Sequence, residues 1–91
     1  MKFLKTWFTI LNMDTVKEIR RSKVAMEGFV QIVATTEEDD FIGHPLGAQC
    51  GETRVDADAY IKELMKLIKE APDYGTIVTC KENGLWELYI E

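Results

Sequence analysis

The sequence predicts an α+β fold: a two-layer sandwich in which an antiparallel-rich, four-stranded sheet carries one long and one short helix, in the order β-α-β-α-β-β. Three observations predict it. Residues 2–11 and 24–35 are rich in aromatic and β-branched side chains. Apolar residues recur at helical spacing between Ala57 and Ala71. Asn83-Gly84 lies between two further β-rich runs, where a type I′ turn needs positive φ at both central residues.

Along residues 2–11, strand alternation sets Leu4, Phe8 and Ile10 on one face and Phe3, Trp7 and Leu11 on the other. Thr15 and Glu18 then have the spacing of a capping box, with Arg20, Arg21 and Lys23 where cations favour a helix C-terminus. A short helix over residues 15–22 is expected, held down by Val16 and Ile19. In residues 24–35, Val24, Met26, Val30, Ile32 and Ala34 share a face, Phe29 and Val33 lie opposite, and Gly28 marks a bulge or a close backbone approach.

Periodicity stops over residues 37–54, an acidic stretch with glycines at 43, 47 and 51 and a proline at 45. A loop of this length in a compact domain is expected to carry function. The long helix follows, with Asp56 as N-cap, Val55 and Tyr60 as a hydrophobic staple, and Asp58 near the positive end. Ala57, Tyr60, Ile61, Leu64, Leu67, Ile68 and Ala71 make its apolar stripe, and Pro72 ends it. A two-residue turn at Asn83-Gly84 would pair Ile77 with Ile90, Val78 with Tyr89, Thr79 with Leu88, Cys80 with Glu87 and Lys81 with Trp86.

A chain of 91 residues fits one domain, residues 1–91, burying about 60–70% of its extended area. With 46% hydrophobic and 30% charged residues it belongs among globular proteins and outside disordered ones. Cys50 and Cys80 form no CxxC pair, which argues against a disulfide scaffold and for a reducing cytoplasm. The segment from Trp7 to Leu11 is too short for a signal peptide or a membrane span, so no membrane partner is expected.

Charge carries the functional argument. Residues 1–36 have a net charge of +3 and residues 37–91 of -8. The sign changes at Glu37, Glu38, Asp39 and Asp40, four consecutive carboxylates that repel one another and belong in water or against cations. With Glu52, Asp56, Asp58 and Asp73 they can imitate the phosphates of a nucleic acid, with Phe41 and Ile42 as an apolar anchor. Lys17, Arg20, Arg21 and Lys23 form a basic cluster, yet a pI near 4.9 argues against direct nucleic-acid binding. The same cluster can instead attract the acidic loop of its own chain or of a neighbour.

Other constellations are weaker. His44 and Cys50 share the glycine-rich loop but lack an orienting third residue, so no catalytic residue is assigned. His44, Cys50 and Cys80 lack the ligand-pair spacing of zinc sites, and the acidic run lacks the alternating oxygens of a calcium loop. The glycines match neither a Walker loop nor a dinucleotide fingerprint, so no cofactor is assigned.

Gly75-Thr76-Ile77-Val78 followed by Asn83-Gly84-Leu85-Trp86 and Tyr89 resembles the final hairpin of some small phage-encoded anti-CRISPR proteins, over residues 75–89 alone. That class shares no common fold or motif, so the resemblance transfers no functional residue. In size and acidity the chain is similar in style to anti-CRISPR, anti-restriction and immunity proteins.

The expectation is therefore a non-enzymatic acidic inhibitor docking on the basic surface of a nuclease or other nucleic-acid-processing protein. Its partner-binding residues would be Glu37, Glu38, Asp39, Asp40, Phe41, Ile42, Glu52, Asp56 and Asp58. One alternative is a small-molecule binder or accessory enzyme using the 43–51 loop. Another is a homodimer paired through the C-terminal hairpin face that bears Val78, Leu85 and Tyr89.

Overall fold

The computed structural model describes residues 1–23, 30–47, 54–80 and 86–91, with the side chains of 54–56 left aside. Among the described residues it is an α+β protein with two sheets and one α-helix. The four-stranded sheet has the order β2-β1-β6-β7, from β1 (Phe3–Lys5), β2 (Ile10–Asn12), β6 (Thr76–Cys80) and β7 (Trp86–Ile90). The three-stranded sheet has the order β3-β4-β5, from β3 (Val16–Arg21), β4 (Ile32–Thr36) and β5 (His44–Pro45). Helix α1 runs Arg54–Glu70. A four-stranded sheet is present as expected, but it is mixed, because β1 runs parallel to β6, and β4, from the second expected strand, lies in the other sheet.

Several expected elements differ, each for a local reason. Residues 2–11 are not one strand, because the Thr6 hydroxyl accepts the N–H groups of Phe8 at 3.2 Å and Thr9 at 3.0 Å. Together with the Thr6 N–H to Thr9 carbonyl bond of 2.7 Å, this folds the chain back on itself. The face assignment changes with it: Leu4 pairs with Leu11, and Ile10 pairs with Lys5.

The expected helix over 15–22 is instead a 3-10 turn, Met13–Thr15, followed by β3. The Asn12 side chain caps that turn by accepting the Asp14 N–H at 2.9 Å. The Thr15 hydroxyl donates to the Asn12 carbonyl at 2.7 Å and caps no helix. With only Val16 and Ile19 to bury, the segment gains more from antiparallel pairing with β4, where Ile19 meets Ala34 and Arg21 meets Ile32.

In β4 the alternation holds: Ile32 and Ala34 enter the core, and Val33 is buried on the opposite face. Val24, Met26, Gly28 and Phe29 lie outside the described residues. The expected loop is interrupted by β5, which pairs His44 with Ala34 and Pro45 with Val33. A proline is tolerated there because β5 is an edge strand. Gly43 has φ +78°, and a Cβ on it would lie 2.9 Å from the Val33 side chain.

Helix α1 begins at Arg54, so Asp56 falls in its first turn and is not the N-cap. The expected stripe is the buried face: Ala57, Leu64 and Ala71 belong to the core, with Tyr60, Ile61, Leu67 and Ile68 packed on it. In the C-terminal pairing, Ile77–Ile90 and Val78–Tyr89 are in the expected register. A register shift after Val78 then pairs Cys80 with Trp86 where Glu87 was expected. The Asn83-Gly84 turn lies outside the described residues.

Both sheets and the helix share one core, with Leu4 and Ile77 from the first sheet, Ile19, Ile32 and Ala34 from the second, and Leu46 after β5. Trp86 closes one side, edge-on to Tyr60 with ring centroids 4.3 Å apart and 3.1 Å from where a Gly47 Cβ would stand. No helix among the described residues is long and apolar enough to cross a membrane.

Candidate partner-binding surface

The acidic tract leaves β4 in a tight turn that the sequence builds for itself. Thr36 and Asp39 exchange backbone hydrogen bonds of 3.1 and 3.2 Å, and the Thr36 hydroxyl also accepts the Asp39 N–H at 3.2 Å. The Asp39 carboxylate turns inward and accepts the Gly43 N–H at 3.0 Å. Asp39 is thus a structural brace of the loop, and its neighbours face outward.

Strand β3 supplies the second brace. Arg20 is only 15% exposed, and its guanidinium donates to the carbonyls of Asp40 at 2.9 Å and Phe41 at 3.1 Å. Its Nε also meets Glu18 at 3.1 Å. Lys17 reaches the Asp40 carboxylate at 3.5 Å, and Arg21 reaches Asp58 at 3.4 Å. The basic cluster therefore holds the acidic loop and the start of α1 within its own chain.

Two carboxylates of the acidic tract remain uncommitted. Glu37 and Glu38 are exposed and have no partner among the described residues. They stand over an open groove of about 740 Å³, lined also by Asp14, Thr15, Lys17 and His44. Next to them Phe41 and Ile42 are 62% and 59% exposed. The groove can take ammonium or guanidinium groups against its carboxylates, and outside it the exposed Phe41 and Ile42 can take an apolar side chain.

Of the expected site residues, Glu37, Glu38, Phe41 and Ile42 are available to a partner, and Asp39, Asp40 and Asp58 are bonded within the chain. Glu52 and the Asp56 side chain lie outside the described residues, as does Cys50. Asp14 escaped sequence reasoning, because it joins Glu37 and Glu38 only once Met13–Thr15 turns toward the end of β4. No three His, Cys, Asp or Glu side chains among the described residues converge as a metal set. Burial pushes the Cys80 thiol above the usual 9.0, with the neighbouring Thr79 side chain and the charge of Lys5 acting against that rise. Compared with protein-family models, with curated proteins and with solved structures, the chain gives no match.

Proposed function

We propose that the protein is an acidic interaction module that docks through Glu37, Glu38, Phe41 and Ile42 on the basic surface of a nucleic-acid-processing enzyme and inhibits it by occupying the nucleic-acid channel. The observation that carries this reading is the pair of uncommitted carboxylates, Glu37 and Glu38, on a loop braced from behind by Arg20. Cations of the chain itself neutralise Asp40 and Asp58. The charge that the acidic tract leaves open is that of Glu37 and Glu38, on the same loop as the exposed Phe41 and Ile42. A braced loop loses little conformational freedom on docking, and its field steers a basic partner toward it.

The test is capture of host nucleic-acid enzymes at low and at high salt by the wild type and by a Glu37→Gln/Glu38→Gln variant, followed by an activity assay of the captured enzyme. The expected result is inhibition by the wild type, with affinity lower by about tenfold or more in the variant and falling as salt rises. Equal affinity of the two proteins across the salt range would overturn the reading.

A further inference from the structure

We propose that the outer face of the four-stranded sheet is a self-association surface, covered by the same face of a second copy of this chain. It is separate from the acidic groove and does not depend on the function proposed above.

The strand registers define the face. Leu11, Leu4, Ile77 and Ile90 form one row across β2, β1, β6 and β7, and all four belong to the core or pack on it. Ile10, Lys5, Val78 and Tyr89 form the adjacent row and therefore point the other way. Val78 and Cys80 are buried there yet lie outside the core cluster. They lie in a groove of about 320 Å³ walled by Lys5, Trp7, Glu87, Tyr89 and Glu91. At its margins Ile10 and Tyr89 are 59% and 43% exposed.

The charges on this face select the occupant. Lys5 is on β1, Glu87 is on β7 and Glu91 directly follows it, so that the two glutamates flank Tyr89. None of the three has an ion-pair partner among the described residues. A uniformly basic or acidic partner would satisfy one half of the face and repel the other. A second copy turned by a twofold axis along the strands satisfies both halves, because it lays β2 and β1 of one copy over β7 and β6 of the other. Ile10 then covers Tyr89, and Lys5 comes within reach of Glu87 and Glu91, each pairing occurring twice. Sheets packed face to face lie about 10 Å apart, which leaves room for the side chains of both inner layers. Four short strands make a small interface, so the expected dissociation constant is on the order of micromolar.

Sedimentation equilibrium from about 1 µM to 1 mM, a range that brackets this affinity, tests the proposal. The expected mass rises from 10.4 kDa toward twice that value. Lys5→Glu alone, and Glu87→Lys/Glu91→Lys alone, should each stay monomeric while keeping the wild-type circular dichroism. An equimolar mixture of those two variants should dimerise again, because both contacts in the mixed pair are complementary. Glu37→Gln/Glu38→Gln should dimerise like the wild type. A wild type that stays monomeric to 1 mM, a dimer indifferent to both charge reversals, a mixture that fails to reassociate, or a dimer lost with Glu37 and Glu38 would each overturn it.

Discussion

Thr79 shows how much of this fold depends on a single hydroxyl. It is fully buried, and its Oγ1 lies 2.8 Å from the Lys5 carbonyl and 2.6 Å from the Leu46 carbonyl. One hydroxyl proton serves both acceptors in turn, tying β1 to β6 on one side and the chain after β5 on the other. Thr79→Val keeps the shape and leaves two carbonyls facing a methyl group. It should cost about 1–3 kcal/mol, the penalty of an unsatisfied buried polar group. Thr79→Ser keeps the hydroxyl and should cost only about 1 kcal/mol for the lost methyl. Urea unfolding midpoints of the two variants check the order, and a Ser variant as damaged as Val would assign the role to packing. Gly43 makes the opposite kind of demand: its backbone needs positive φ, and the Val33 side chain leaves no room for a Cβ.

Among the elements, β3 has a double task, since its apolar side holds Ile19 in the core while Lys17, Arg20 and Arg21 reach for carboxylates and carbonyls of later segments. Arg20→Ala removes the clamp on Asp40 and Phe41 without touching the core. Amide hydrogens of residues 37–43 should then exchange about tenfold or more faster, with Ile32–Thr36 unchanged, as for local opening of one loop. Unchanged exchange over 37–43 would mean that the Thr36–Asp39 turn holds the loop alone. The stripe on α1 and the alternation of β4 were legible in the sequence, because each follows one period long enough to stand out. The fate of residues 13–21 was not, since Thr15 and Glu18 satisfy a helix-start pattern while the deciding interaction is a distant ladder to β4. Thr6 and Thr9 gave no glycine or proline to mark a turn, so the first hairpin read as one strand. At the site, Glu37 to Ile42 were legible as charge beside apolar residues. That Asp39 braces the loop while Glu37 and Glu38 remain available depends on the way the Gly43 N–H is turned and on Arg20, which is near only in space.

For the whole molecule, the question is whether two sheets with different strand orders behave as one cooperative unit. Leu46 decides it. Its side chain is fully buried in the cluster that holds Leu4 and Ile77 from one sheet and Ile19, Ile32 and Ala34 from the other. Its N–H donates to the Ile32 carbonyl at 3.1 Å and its carbonyl accepts from Thr79 at 2.6 Å, so its backbone bonds to both sheets as well. Truncating it removes apolar contacts from both sheets at once. Leu46→Ala should therefore cost about 2–5 kcal/mol, the range for buried leucines. That is a large part of the roughly 5–14 kcal/mol expected for a chain of this length. If the sheets share their stability, amide protection at Ile77 in β6 and at Ile19 in β3 should fall by the same factor, and thermal unfolding should stay a single transition at lower temperature. If instead protection at Ile19 collapsed while Ile77 kept its wild-type value, the two sheets would be separate folding units. The loop carrying Glu37 and Glu38, which springs from β4, would then open without the self-association face being disturbed.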